Sequence, residues 1–303
     1  MHLYTAFGLN FHSELELTPL KTAEATNPDV RIVLGPVSHT GLDQPHVTKP
    51  FCQTAPNQLW LDVPDIARFQ VSDGNMIIVD PKPDADPQSV QLFLLGSCMG
   101  AIMYQRNRLV IHGNAIRFGH GCVIVAGASG AGKSTLAAAF VKRGYQVLAD
   151  DLSVIDDHVR VQPSYPQLKI WRDTAKKLDI DTSPLKRIRM QVDKFAFPLH
   201  EQFYSEPLPI KAVYILNPHN QPDLRVEEIT GMNKFQPLKN QSYRGGYLEG
   251  LGLNAQHLTL CASLANQSRV ARIIRPNNGF KINELVELIE DDMTPPLTAA
   301  KHD

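Results

Sequence analysis

One stretch of the chain constrains its fold more than any other. Residues Gly127, Ala128, Ser129, Gly130, Ala131, Gly132, Lys133 and Ser134 fit the pattern G-x-x-x-x-G-K-[ST]. The glycines at 127, 130 and 132 let the backbone wrap so that successive amide N–H groups face one anion, and a helix starting at the end of the loop adds the positive end of its dipole. Such a loop requires a strand before it and a helix after it. The β-branched run at 122–126 supplies the strand; the run at 134–143, closed by Lys142, Arg143 and Gly144, supplies the helix. The pattern predicts an α/β fold carrying a nucleotide-phosphate cradle over residues 127–135. In it Lys133 reaches the β- and γ-phosphates, the Ser134 hydroxyl serves Mg2+, and Thr135 donates to the α-phosphate.

Paired carboxylates come next in the chain. Asp150 and Asp151 end the strand-like run at 146–149, and a second run continues at 152–155. A nucleotide site uses carboxylates for two tasks: holding Mg2+, directly or through water, and accepting a proton from an incoming hydroxyl. Neighbouring residues of a strand point to opposite faces, so the two acids are expected to divide those tasks.

The order of elements from Val110 to Asp151 resembles the core of HPr kinase/phosphorylase. It has a His-Gly strand (His112-Gly113), the glycine-rich loop, a helix ending in Lys142-Arg143-Gly144, and then Ala149-Asp150-Asp151. The resemblance implies a P-loop kinase core of the type shared with phosphoenolpyruvate carboxykinase, using ATP and Mg2+ to phosphorylate a seryl hydroxyl. On it, Asp150 is the general base and His112 assists it. Lys133 and Ser134 contact phosphate and Mg2+, and Asp150 and Asp151 are the candidate metal carboxylates. Two departures narrow the likeness. Thr135-Leu136 stand where that family continues with Glu, and its Glu-x-Arg-Gly-x-Gly-Ile signature is not recognisable downstream, which argues against phosphorolysis and against HPr as substrate.

The whole chain looks more like the HPr-kinase-related proteins of bacterial gene clusters, through Pro163 to Trp171 (Pro-x-Tyr-Pro-x-Leu-x-Ile-Trp), Lys194-Phe195 and Tyr243-Arg244. Some of those proteins phosphorylate a serine on a ribosomally made peptide, so the implied acceptor is a peptide or small protein carrying a Ser. The family also implies a homo-oligomer. Among the C-terminal cations Arg172, Lys186, Arg187, Arg189, Lys194, Lys234 and Arg244, the last is the best candidate to neutralise a transferring phosphoryl group. It opens a Gly245-Gly246 turn where backbone can approach a ligand closely.

Around this core the chain divides into a β-rich part at 1–87, a catalytic domain at 88–290 and a disordered tail at 291–303 that carries Pro295-Pro296. Short alternating runs at 59–63, 67–71 and 76–79 read as strands, the last two joined by Ser72-Asp73-Gly74-Asn75 as a hairpin. Prolines 81, 83 and 87 mark a break. Residues 89–106 are apolar all round a helical wheel and predict a helix buried between the two parts; 255–265 has ordinary helical spacing.

Composition excludes several classes. The 303 residues hold 30 Lys+Arg against 31 Asp+Glu with no basic run, so no nucleic-acid partner is expected. The longest apolar run, 92–104, is shorter than the roughly 20 residues that span a bilayer, so no membrane partner is expected. Cys52, Cys98, Cys122 and Cys261 form no CxxC pair, and the first residues lack a secretory pattern, so the expected location is cytoplasmic. Two rival functions remain: a kinase of small metabolites, and a slow ATPase acting as a nucleotide-dependent switch. Asp150-Asp151 with His112 favour a kinase, because a switch requires a metal ligand but no base.

Overall fold

In the N-terminal part, apolar residues recur at every second position, and that alternation builds a sheet with one buried face. In Ala67–Ser72 residues Ala67, Phe69 and Val71 are buried, and in Met76–Pro81 Ile77 and Val79 are. The predicted hairpin is present, with Ser72 opposite Met76. The computed structural model describes residues 1–24, 27–189, 192–220, 222–277 and 281–294. Its first sheet has nine strands. From one edge it runs Lys21–Thr22, His2–Ala6, Leu9–Ser13, Val30–Leu34, Met76–Pro81, Ala67–Ser72, Gln58–Val63, Cys52–Ala55 and Val47–Lys49. Val30–Leu34 is parallel to both its neighbours, and the other pairs are antiparallel.

The segment expected to be a buried helix is helical throughout. Asp86 caps it by accepting from the amides of Gln88 and Ser89, Pro87 occupies the first turn, and the chain continues through Leu94–Cys98, a single widened turn, to Met99–Gln105. Leu94, Met99 and Ile102 share one core with Phe69, Val71 and Ile77 of the first sheet, and that core also takes in Val110, Leu152, Tyr165 and Tyr243. The helix thus covers the first sheet and joins it to the C-terminal part of the molecule. Two of its glycines admit the Tyr243 ring. A Cβ on Gly100 would stand 2.9 Å from that ring, and one on Gly96 would stand 3.0 Å from its hydroxyl.

The second sheet is mixed. Its path runs Gly121–Gly127, Leu109–Phe118, Leu152–Ile155, Arg160–Gln162, Leu208–His219, Arg269–Pro276 and Arg225–Ile229, and Gly121–Gly127 also pairs in parallel with Leu208–His219, closing part of the path on itself. Alternation sends Val123 and Val125 to one side and Ile124 and Ala126 to the other. Helices Lys133–Lys142 and Ile282–Met293 cover the first side through Leu136, Phe140, Val286 and Ile289; Asn254–Gln267 covers the second through Cys261 and Leu264. The molecule is therefore a mixed α/β protein with several sheets. A two-stranded ribbon, Gln167–Trp171 with Lys194–Pro198, lies beside this layer. Helix Ile282–Met293 extends into the segment expected to be a tail, because Leu285, Val286 and Ile289 give it a buried face that carries its last turn; residues 295–303 of that tail lie outside the described residues. No described helix is long and apolar enough to cross a membrane.

Candidate functional site

The glycine-rich loop leaves the sheet at the fully buried strand Gly121–Gly127 and enters helix Lys133–Lys142. Gly127, Gly130 and Gly132 have φ of 146°, 80° and 101°, values that L side chains rarely adopt. At Gly127 space is also short, since a Cβ would meet the Leu216 carbonyl oxygen at 3.1 Å. Lys133 is the first helical residue, and its Nζ folds back to donate to the carbonyls of Gly127 (2.7 Å) and Ala128 (3.1 Å). Burial lowers its pKa, against the attraction of Asp151. Ser134 is half-buried at the helix start, and the Thr135 and Thr174 hydroxyls share a hydrogen bond of 2.8 Å.

Arg275, which no local pattern marks, clamps the loop from outside. Its Nε and Nη2 donate to the Ala131 carbonyl at 3.1 and 2.7 Å, and its Nη1 to the carbonyl of Pro276 at 3.0 Å. Beside it opens a cavity of about 220 Å3 lined by Gly130, Thr135, Asp173, Thr174, Arg275 and Leu285 among others.

The two carboxylates occupy different environments, but not through strand alternation. The strand breaks between Val147–Ala149 and Leu152–Ile155, and Asp151 turns into the left-handed region at φ 73°. Asp150 points inward and is 4% exposed. One of its oxygens accepts from Asn114 Nδ2 at 2.5 Å, the other from the Lys169 backbone N–H at 2.8 Å. Burial pushes its pKa up. Asp151 is the accessible member, with its side chain 27% exposed. Burial opposes its ionisation too, but the positive charges of Lys169 and Lys194, with His112 beside them, outweigh that and hold the carboxyl well below its usual range. The expected assignment of the base to Asp150 therefore does not match the geometry. Asp150 is committed to two buried donors, and Asp151 is the carboxylate within reach of a ligand.

His112, expected to assist Asp150, meets Asp151 instead. Its Nδ1 lies 3.1 Å from the Asp151 carbonyl oxygen and 3.3 Å from Oδ1, both acceptors, so Nδ1 carries the hydrogen. Burial lowers its pKa and keeps the ring neutral at pH 7, despite the neighbouring carboxylate. The other side of Asp151 is met by Lys169, whose ammonium lies 3.2 Å from Oδ2 and is almost fully buried.

Sequence reasoning missed Lys169, because alternation between buried Leu168 and Ile170 predicts that it faces outward; a second layer buries that face too. It also missed Asn114 and Tyr243, whose ring lies 5.6 Å from that of His112. Of the seven C-terminal cations, Lys194 is the one whose charge reaches Asp151, Asp150, His112 and Lys133. Arg244, the expected candidate, lies against the Tyr243 ring. Arg172 and Arg187 pair with Asp193, and Lys234 caps helix Asn254–Gln267 through the Ala265 carbonyl. Among the described residues, no cluster of three or more His, Cys, Asp or Glu is placed to hold a metal ion.

No protein-family model matches the chain, and no curated protein matches it. Among solved structures it is similar to the Hpr(Ser) kinase/phosphatase from Coxiella burnetii. The identity is 14% and the TM-score 0.30, over 60% of this chain and 89% of that one.

Proposed function

We propose that this chain is an ATP-dependent phosphotransferase with a P-loop kinase core, which moves the γ-phosphoryl group onto a seryl hydroxyl of a peptide or small protein. The observation that carries the reading is the placement of Asp151. Its carboxyl is partly exposed and is braced between His112 Nδ1 at 3.3 Å and the Lys169 ammonium at 3.2 Å, and its charge acts on the loop lysine. A pure nucleotide switch requires a carboxylate for Mg2+ but not the neutral imidazole that braces this one.

In this reading the loop amides and Lys133 hold the triphosphate, and Arg275 keeps the loop in shape. The adjoining cavity takes the nucleoside. As the acceptor oxygen bonds to phosphorus, the β–γ bridging P–O bond breaks and ADP leaves with its electron pair, while the hydroxyl proton passes to Asp151. A carboxylate of depressed pKa is a weak base, which suits a loose transition state in which the hydroxyl keeps its proton until late; its main work is then orientation. His112 and Lys169 fix where it points. The donor set fits Mg2+, which is commonly bound by one or two protein oxygens together with phosphates and water. Ser134 and Asp151 would hold the ion, and its charge would offset that of the phosphates.

The test is intact-mass analysis of a peptide and metabolite pool after incubation with the protein, Mg2+ and ATP. A peptide gaining one phosphoryl group, lost in Lys133→Ala, is the expected result. Asp151→Asn should retain nucleotide and lose transfer by roughly 10²–10⁴-fold. Phosphate released to water with no acceptor modified would refute the assignment in favour of an ATPase, and a phosphorylated metabolite would replace the acceptor class.

A further inference from the structure

Asp151 is met by His112, and the Tyr243 ring packs on His112 with the ring centres 5.6 Å apart; the charge of Asp151 also acts on Lys133 of the loop. If the loop holds a phosphoryl donor, in-line attack leaves the Tyr243 side to the acceptor. That side is built jointly by the turn at 243–250 and by the last hairpin of the N-terminal sheet, Val47–Lys49 with Cys52–Ala55. Gly250 packs on Thr54, where any Cβ would collide, and a Cβ on Gly246 would stand 3.0 Å from Lys49 Nζ.

The turn presents Arg244 in an unusual way. Its φ is 48°, a left-handed conformation that is unfavourable for a non-glycine residue. The conformation persists because its neighbours are fixed. Tyr243 N–H donates to Val110 (2.9 Å), the Tyr104 hydroxyl donates to the Tyr243 carbonyl, and Tyr247 N–H donates to the Arg244 carbonyl (2.9 Å). Arg244 is exposed as a residue, while its guanidinium hydrogen-bonds Tyr243 and lies 6.0 Å from the centre of that ring. Arg68, Arg106, Arg143, Arg160, Arg225 and Arg269 all pair with carboxylates. Among the described residues Arg244 has no carboxylate within ion-pair distance, and neither has Lys49. Phe51, at the tip of the same hairpin, is 58% exposed. Two cations without carboxylate partners among the described residues, one from each part of the molecule, thus meet where the turn packs on the hairpin: Lys49 Nζ lies against Gly246, and the charges of both act on Cys52.

We propose that Arg244 and Lys49 form an acceptor subsite that binds an acidic peptide segment, gripping a carboxylate carried within a few residues of the hydroxyl that Asp151 orients. The N-terminal sheet is then a substrate-recognition element. This rests on the phosphotransfer reading for its direction. Arg suits the task because its planar fork can hold a carboxylate through two hydrogen bonds.

The test uses fluorescein-labelled peptides of Gly and Ala with one Ser and one Asp, the Asp placed at each of four positions on either side, and matched peptides with Asn. Binding is read by anisotropy in the presence of Mg2+ and a non-hydrolysable ATP analogue, and transfer is read separately with ATP. One Asp register should bind about tenfold more tightly than its Asn match, the range of one charge-assisted contact. Arg244→Glu should erase that preference and favour a Lys peptide in the same register. Lys49→Glu, on an exposed strand end, should weaken it with an unchanged melting temperature. Equal binding of Asp and Asn peptides by the wild type, or a preference unmoved in both variants, overturns the subsite. Transfer without charge preference refutes the subsite and leaves the phosphotransfer reading standing; charge-selective binding with no transfer to any peptide does the reverse.

Discussion

Replacing Lys169 by Met removes the buried ammonium that Asp151, Asp150 and Tyr165 share but keeps the backbone N–H that Asp150 uses, and the Asp151 carboxyl reports the loss directly. At 3.2 Å and an effective dielectric constant of about 20, two unit charges attract by about 5 kcal/mol. That corresponds to about four pKa units at 1.36 kcal/mol each. Asp151 is 27% exposed, and solvent screening roughly halves the figure, leaving a rise of about two units. The assay is NMR titration of aspartate carboxyl carbons, with Asp151→Asn locating the resonance. The wild-type carboxyl should titrate well below the usual aspartate range and the Lys169→Met carboxyl about two units higher. Because the folded pKa is depressed, the ionised carboxylate stabilises the wild type fully above its unfolded value of about 3.9, and that contribution is lost as pH falls through the folded value. The variant should show a smaller acid-side loss. A midpoint that moves by less than about 0.5 units would refute the claim that Lys169 sets the ionisation of Asp151.

Three other perturbations have outcomes set by the geometry. Asp150→Asn turns an amide N–H toward one of two buried donors and should lower unfolding stability by about 2–4 kcal/mol, seen as a reduced denaturation midpoint; an unchanged midpoint would mean that the inward carboxylate is dispensable. Gly127→Ala meets both a left-handed φ and the Leu216 carbonyl, whereas Gly130→Ala meets only the φ, with nothing near its Cβ. The first should therefore cost more, by about 1–2 kcal/mol, and equal melting temperatures would argue against the packing at Leu216. Arg275→Met removes the charged donors from the Ala131 carbonyl and should weaken nucleotide binding about tenfold in calorimetry while the fold survives; unaltered affinity would show that the loop holds its shape unaided.

Local chemistry, read from the sequence, determined the elements. Positive-φ glycines, a strand before them and a helix after them define the loop, alternation defines the hairpin at 67–81, and all-round apolarity marks the helix between the two sheets. These depend on residues within one turn or one strand of each other, so no tertiary information is required. What the tertiary structure decided is the different surroundings of the two carboxylates. Asp150 is turned inward by Asn114, 36 residues earlier, and by Lys169, 19 residues later; the Asp151 carboxyl is left partly exposed between His112 and the Lys169 ammonium. The same holds for the Arg275 clamp, 144 residues from the loop carbonyl it holds, and for the packing of Arg244 against the Tyr243 ring, which itself lies beside His112. Backbone propensity is a property of neighbours in the chain. Burial, ionisation and the pairing of charges depend on which distant side chains the fold brings within a few ångströms.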